Sequence, residues 1–552
     1  MTETNVPAPV DPLDTTAPAP QTRWRGPRRA SGSITPLVTV PAVVVAVAML
    51  VPAAHLVLQA GELPFDRIVE IATDAGTLRL TLQTLGLAAA VTVASLLLGV
   101  PLAWLTVRSD LPARRFFAIA TALPLVIPTY VGAYAILATF APGGLVEEWS
   151  GVRPPSPYGF TGAFAALTLF TYPYVLLTCQ AALRGIDPRL EEASRSLGRG
   201  PVATFLRVTL PQLRPAAAAG GLLVTLYVLS DFGAVSMLRY STFTRALYTQ
   251  FRSAFDRAPA AVLALVLVTI TVVVLVIEAR FAKDRGGQFR TRAGTRDHSI
   301  VPLRAWRWPA AAFAVAVVSA GLVVPVTVVG YWLVRGIRAD EPISLVYGAA
   351  GRSLLVAALG AVVATLAALP IGIWSARSTS RVARAVERSS FTGYALPGIV
   401  VALALVYVGI RVTPSLYQTL TMLVFAYVVL FLPQAVGSIR TSLLQVPSSL
   451  EEASRTLGAG RVRTLGRVLL PLSSRGAIAG GSLVFLTAMK ELPATLLLAP
   501  TGYDTLAVRV WSATREAFFA RAAAPALFLI VLGSVPLAVL SIRGRRGDGP
   551  SG

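Results

Sequence analysis

EEASRSLGRG, residues 191–200, returns 260 positions later as EEASRTLGAG at 451–460. The same shift of 260 relates Pro173 to Pro433, Leu210-Pro211 to Leu470-Pro471, and Gly220-Gly221 to Gly480-Gly481. Further upstream the match needs small gaps. PLAWLTVRS from Pro101 resembles PIGIWSARS from Pro370, a shift of 269, and Leu123-Pro124 resembles Leu396-Pro397. Self-similarity over so long a period means that one architectural unit has been used twice.

What surrounds the repeat decides what kind of unit it is. Of 552 residues, 55% are hydrophobic and only 14% charged, with a mean hydropathy of +0.67. A soluble domain carries roughly 25% charged residues. The composition excludes an ordinary cytosolic enzyme and a disordered chain, and points to a polytopic membrane protein. Apolar runs mark spans near 35–59, 82–106, 116–141, 160–183, 216–238 and 258–279, then 308–334, 353–375, 390–410, 418–438, 477–499 and 522–542. Both copies of a repeated loop lie on one side only if each half has an even number of spans. Six plus six satisfies this, so the repeat is parallel, with a pseudo-two-fold axis along the membrane normal and a pathway on it. The expected fold is all-α and integral to the membrane. The expected divisions are a disordered basic cytoplasmic tail (1–34), a first domain (35–283), a cytoplasmic linker (284–303) and a second domain (304–552). The run at 35–59 is longer than a signal-peptide core and lies far from the start, so it reads as an uncleaved first span.

The net charge of +22 comes almost entirely from arginine, and the arginines sit between apolar runs rather than on one soluble face, so nucleic acid is not an expected partner. Arginine in short loops places both termini and the repeated loops in the cytoplasm. The loop at 239–257 dissents: it carries Arg239, Arg245, Arg252 and Arg257, yet falls outside. Docking of an acidic partner and chance are both open as explanations. Lys283 and Lys490 are the only lysines, and neither completes the Gly-Lys-Ser/Thr of a phosphate-cradling loop, so any ATP hydrolysis belongs to a partner. Cys179 stands alone, which excludes an intrachain disulfide, and His55 and His298 leave little for a histidine-based site.

Each repeated loop reads as a helix, a sharp turn and a second helix. Leu190, Ala193, Ser194 and Leu197 fall at helical spacing on one small apolar face. Glu191 and Glu192 lie near the helix start, where the dipole favours acid. Gly198 and Gly200 end the helix, and Phe205 and Val208 belong to a stretch that Pro211 stops. An amphipathic helix lying on lipid is the plainer reading. Duplication of the spacing argues instead for a knob that enters a groove on another protein.

Glu192-Ala193-Ser194, three residues, Gly198, nine residues, then Val208-x-Leu210-Pro211 resembles the EAA loop of binding-protein-dependent ABC importer permeases. Their pattern is E-A-A, three residues, G, nine residues, I-x-L-P. Both halves fit it, departing only at Ser194 and Ser454 and at Val208 and Val468. The resemblance implies a fused pair of type I permease domains, multi-pass in the plasma membrane and in contact with its lipid. It implies that Glu191, Glu192, Ala193 and Gly198, with Glu451, Glu452, Ala453 and Gly458, belong to coupling loops docked on two ATPase subunits. ATP and Mg would lie on those partners, with no cofactor on this chain. An extracytoplasmic binding protein would deliver the substrate.

Away from their ends, the apolar runs hold three charges: Asp231, Lys490 and Glu491. The repeat pairs Asp231 with Glu491. Each acid lies about fifteen residues past the inner end of its span, or about 22 Å into a core of about 30 Å. A charge at that depth costs a few kcal/mol and faces protein or water. Asp231 and Glu491 read as pathway lining; Lys490 reads either so or as neutralised against other spans. Pro493 weakens the helix beside them. Tyr130 and Tyr134 read as path lining or as packing. Lys490-Glu491-Leu492-Pro493-Ala494-Thr495-Leu496 resembles the matching stretch of ferric iron permeases, as does the fused layout. Ferric ion prefers oxygen ligands. Thiamine permeases also have fused halves, so thiamine is the alternative cargo, with polyamine and phosphonate importers as further relatives. Whether metal binds within the spans is left open. A secondary transporter and a membrane enzyme are the other classes; the first needs no duplicated loops and the second needs a polar catalytic cluster.

Overall fold

The apolar runs fold as helices, and prolines and acids decide where those helices break. The computed structural model describes residues 36–253, 258–283, 300–342 and 344–547. The tail expected over 1–34 lies outside the described residues, as does 284–299 of the expected linker. Among the described residues there is no β-strand, only an isolated parallel bridge between Ser109 and Val301. Ten helices are long and apolar enough to cross a membrane, and two shorter apolar helices, Gly398–Arg411 and Phe519–Ser534, take the remaining expected positions. The architecture is two six-span halves.

The first half is built from α1 (Pro36–Ala60), α2 (Ala75–Arg108), α3 (Thr129–Phe140), α4 (Phe160–Gly185), α5 (Pro188–Ser196), α6 (Leu210–Ser230), α7 (Gly233–Met237), α8 (Phe243–Ser253) and α9 (Ala258–Lys283). The second uses α10 (Val324–Arg338), α11 (Ser344–Arg377), α12 (Gly398–Arg411), α13 (Leu420–Leu444), α14 (Ser449–Thr456), α15 (Leu470–Met489), α16 (Pro493–Leu498), α17 (Leu506–Arg515) and α18 (Phe519–Gly547). Helices α2 and α11 are both 34 residues long and stand 269 positions apart from end to end.

Four expected spans are corrected. The run at 116–141 is not continuous: Arg114–Ala120 and a 3-10 turn at Leu123–Val126 precede α3. Pro124 and Pro128 have no N–H to donate, so a straight helix cannot pass them. The span expected from 390 begins at Gly398, after Pro397. Those expected to reach 238 and 499 stop at Ser230 and Met489, and short helices restart at Gly233 and Pro493. Both stops fall at the repeated acid. Before Pro211 and Pro471 the helix widens to a π-turn, at Phe205–Thr209 and Leu465–Leu469, where Leu210 N–H bonds Phe205 O and Leu470 N–H bonds Leu465 O.

In each half three long helices pack tightly: α2, α4 and α6, and α11, α13 and α15. A Cβ on Gly220 would stand 2.7 Å from Val175 Cα, and one on Gly480 would stand 2.8 Å from Ala435 Cα. Val175 and Ala435 are themselves repeat partners, so the glycines of the repeat mark one close helix crossing made twice. The opening helix of each half straddles both halves. Helix α1 packs on α9 and on α11 and α12; helix α10 packs on α18 and on α3. Across the seam Tyr134 OH donates to Phe519 O at 2.9 Å, and Trp332 Nε1 donates to Ala138 O at 3.4 Å. Tyr134 is thus a packing residue.

Candidate functional site

Two features carry chemistry: the repeated loops at one end of the bundle, and the two acids at the helix breaks nearer the other. Each loop is a short helix closed by a left-handed glycine. Gly198 and Gly458 both have φ +80. Gly198 N–H bonds Arg195 O at 3.0 Å and Arg199 N–H bonds Ser194 O at 3.3 Å; Gly458 and Ala459 repeat this at 2.9 and 3.1 Å. The hydrogen bonds satisfy carbonyls that the helix end leaves open. The serines that depart from the E-A-A pattern have a use. Ser194 Oγ meets Thr204 Oγ1 at 3.1 Å, and Ser454 Oγ meets Thr464 Oγ1 at 3.1 Å, pinning each helix to the strand of chain that follows its turn.

The loop glutamates divide. Glu192, Ala193, Glu452 and Ala453 are exposed, and so are the glycines. Leu197 and Leu457 are 78% and 88% exposed, so both loops end in an apolar tip that none of the described residues covers. Glu191 and Glu451 do not face outward with them: both are buried, drawn in by an arginine at the end of a long helix. Arg377 Nε lies 2.6 Å from Glu451 Oε1. Arg108 Nη2 lies 3.9 Å from Glu191 Oε1, which accepts a 2.9 Å hydrogen bond from Thr209 Oγ1. Each arginine also binds the carbonyl that ends the helix before the loop. Arg108 Nη2 donates to Leu183 O and Ile186 O at 2.9 and 3.1 Å, and Arg377 Nη1 donates to Val446 O at 3.2 Å. Sequence reasoning missed both arginines as anchors, although the alignment of PLAWLTVRS with PIGIWSARS pairs them. In the first half the C-terminal end of the linker docks beside the anchor: Val301 N–H bonds Arg108 O at 2.9 Å, and Leu303 N–H bonds Asp110 Oδ1 at 2.8 Å.

Asp231 and Glu491 line one cavity of about 420 Å³ between the halves, with Lys490 and Tyr130 also on its wall. Each acid caps the short helix that follows it. Asp231 Oδ1 accepts from Ala234 N–H at 3.0 Å and Glu491 Oε1 accepts from Ala494 N–H at 3.2 Å, which explains why the helices break there. The second oxygens differ. Asp231 Oδ2 accepts a 2.5 Å hydrogen bond from Thr129 Oγ1. Pro128 and Pro397 stand just before α3 and α12, so Ile127-Pro128 rather than Leu123-Pro124 matches Leu396-Pro397, and opposite Thr129 stands Gly398, where a Cβ would lie 3.0 Å from Glu491 Oε1. Glu491 has the longer side chain and the glycine makes room for it. Glu491 is also less buried than Asp231, and its Oε2 has no partner among the described residues. Lys490 does not pair with it: Lys490 Nζ crosses the seam to donate to Leu125 O at 3.2 Å.

Phe232 of the cavity wall belongs to a cluster of aromatic rings drawn from both halves. Phe232 stands 5.0 Å from Tyr248 and 5.0 Å from Trp511, which are 6.2 Å apart. Three cavity-wall residues, Leu223, Gln434 and Thr487, lie on α6, α13 and α15 toward the loops.

Two stretches of the chain, 95–287 and 368–546, match the family described as binding-protein-dependent transport system inner membrane component. The Fe(3+)-transport system permease protein of Haemophilus influenzae is 33% identical over 522 residues, 93% of this chain and 99% of that protein. The molybdenum transport system permease protein of Escherichia coli is 30% identical over 207 residues, 35% of this chain and 90% of that protein. The sulfate transport system permease protein of Escherichia coli is 29% identical over 188 residues, 34% of this chain and 68% of that protein.

Proposed function

This chain belongs to the binding-protein-dependent transport system inner membrane component family, and on that premise we propose that it carries ferric iron through the cavity between its halves. It is an ABC importer permease and a multi-pass inner membrane protein. The observation that carries the iron reading is the pair of carboxylates on one cavity wall, one with an oxygen free for a ligand. A hard trivalent cation takes oxygen donors, and neutralising two acids within the membrane offsets part of its desolvation. An oxyanion meets the wrong sign of charge there. The likeness to the Haemophilus influenzae iron permease, which spans both halves, supports the same cargo. Thiamine, also cationic, is the alternative.

The repeated loops face the cytoplasm and dock on two ATPase subunits, which hold ATP and Mg. Contact is made by Glu192, Ala193 and the apolar tips Leu197 and Leu457, and by their repeat counterparts. Glu191 and Glu451 act behind that surface: they tie each loop to α2 or α11, so that a pull on the loop moves a long helix rather than bending a hinge. Closure of the ATPases draws the loops together, parts the rings of Phe232, Tyr248 and Trp511, and opens the cavity to an extracytoplasmic binding protein. Hydrolysis resets it. Both termini lie in the cytoplasm.

The test is uptake of labelled ferric iron, thiamine, molybdate and sulfate by cells lacking this chain, with and without its return. Iron uptake restored by the wild type and lost on ATP depletion supports the reading. Restored thiamine, molybdate or sulfate uptake without a change in iron overturns the cargo and keeps the permease. Uptake that survives ATP depletion on an ion gradient points to secondary transport.

A further inference from the structure

The arginine-rich connection at 239–257 runs against loop orientation, and its Arg239 and Arg245 are not explained by pairing among the described residues. Arg239 and Arg245 of the first half and Arg515, the last residue of α17 in the second, line one pocket of about 220 Å³ together with Thr249 and Thr514. The ion pairs at that end of the bundle take up Arg67, Arg153, Arg335, Arg411, Arg509 and Arg521. Among the described residues, Arg239, Arg245 and Arg515 have no carboxylate partner. Two of them rest on aromatic faces, Arg239 Cζ 4.6 Å over Tyr158 and Arg515 Cζ 5.6 Å over Trp511. Stacking of this kind fixes a guanidinium while leaving its N–H edge free for an acceptor. Ser236 Oγ, on the same wall, is buried without a hydrogen-bond partner among the described residues, a costly state if nothing fills it. Burial and the neighbouring Arg239 hold the Arg245 guanidinium below its ordinary pKa, as uncompensated like charges do. The fold does not demand these residues: Tyr240 and Tyr503, and Phe243 and Leu506, make equivalent hydrogen bonds 263 positions apart, which sets Gly502 opposite Arg239 and Val508 opposite Arg245.

We propose that this pocket binds a single oxyanion group, of carboxylate or phosphate type, held by Arg239, Arg245 and Arg515 with Ser236. Planar guanidinium forks match such a group bidentately. Because its ligands come from both halves, the bound anion bridges the seam. The pocket also sits against the aromatic cluster, since Tyr248 and Trp511 line it and Phe232 lines the cavity. An anion there favours the arrangement in which these rings stay together, and its departure or recruitment biases the opening.

The experiment uses the full chain in lipid nanodiscs, titrated with sodium phosphate, sulfate or acetate at constant ionic strength. Tryptophan fluorescence and the unfolding midpoint are read. The expected result is a saturating response, at least tenfold weaker in R245Q/R515Q and several-fold weaker in S236A. R153Q removes the same type of charge from a residue paired with Glu147 and should leave it intact. R245K/R515K keeps the charge and loses the fork, so it separates recognition from folding; several-fold weaker binding is expected. A response that never saturates, or is equal in all variants, overturns the pocket. A second arm, which alone rests on the importer reading, measures capture of the extracytoplasmic binding protein by the same nanodiscs. Capture lost in R245Q/R515Q and competed by phosphate assigns the group to a carboxylate on that protein. Capture unchanged while phosphate binds assigns it to a free anion. Failure of the wild type to capture any binding protein counts against the importer reading and leaves the phosphate titration to decide the pocket.

Discussion

Arg377 holds Glu451 at 2.6 Å in a largely buried pair that fastens the second repeated loop to the end of α11, whereas Arg108, fully buried, keeps 3.9 Å from Glu191. Two residues make the difference, one being Arg195, whose Nη2 lies 3.8 Å from Glu191 Oε2. Thr209 gives Glu191 a hydroxyl donor, and its repeat counterpart Leu469 gives Glu451 none. The second loop therefore depends more on its arginine. Removing one partner of a buried pair costs about 3–5 kcal/mol. R377A should release residues 449–460 to hydrogen exchange by two orders of magnitude or more, and R108A should release 188–200 by less, because the Thr209 bond remains. Equal exchange in the two loops would remove the argument.

The glycines that end the loop helices face open space, so a side chain there meets no clash. Its cost is conformational, about 1–2 kcal/mol for a left-handed non-glycine residue. G198A and G458A should each reach the membrane at wild-type level yet pull down the ATPase several-fold less well, and G198A/G458A should lose transport. Replacement by asparagine, which tolerates this backbone better, should recover much of the loss. Normal capture by the alanine variants means the turn is not read by the partner.

Charge and capping can be separated at Glu491. Glutamine keeps an oxygen for Ala494 N–H and removes the charge. E491Q should therefore accumulate normally and lower ferric iron uptake at least tenfold. D231N should do less to uptake and more to stability, since both Asp231 oxygens already serve the protein and a charged acceptor is worth about 1.5–3 kcal/mol. Uptake rates normalised to membrane protein, with unfolding midpoints in detergent, distinguish the two. Equal loss of uptake would show that Asp231 also meets the cargo.

Much of this was open to a reader of the sequence, because duplication repeats every necessary feature. The six-plus-six layout, the loops around Glu192 and Glu452, and the equivalence of Asp231 with Glu491 all follow from shifts along the chain. The breaks at Ser230 and Met489 do not. Hydropathy averages over a window and runs straight through an acid that caps a new helix. In sequence Arg108 and Arg377 are two among many arginines that follow apolar runs, and nothing local says that either folds back beneath a loop whose glutamate lies 83 or 74 residues on. For the same reason Glu191 and Glu451 could not be told from their exposed neighbours. Adjacent glutamates look alike until the helix is given a direction.

The most specific trade between the halves lies around the acids. Thr129 with Asp231 fills much the same place as Gly398 with Glu491: hydroxyl plus short acid in one half, empty glycine plus long acid in the other. If that is a compensated pair, each residue of the second half is right only for its partner. G398T alone pushes a side chain to within 3.0 Å of Glu491 Oε1 and should lower both uptake and the unfolding midpoint. E491D alone leaves the space open and withdraws the free oxygen from the cavity. G398T/E491D rebuilds the first-half geometry and should be more stable than G398T, with a coupling of about 1–2 kcal/mol in the thermal double-mutant cycle. Uptake should still fall, because the shortened acid is now engaged by threonine as Asp231 is. A double variant whose losses are the sum of the single ones would show that the two sites fill independently, and that the free oxygen of Glu491 owes nothing to the glycine.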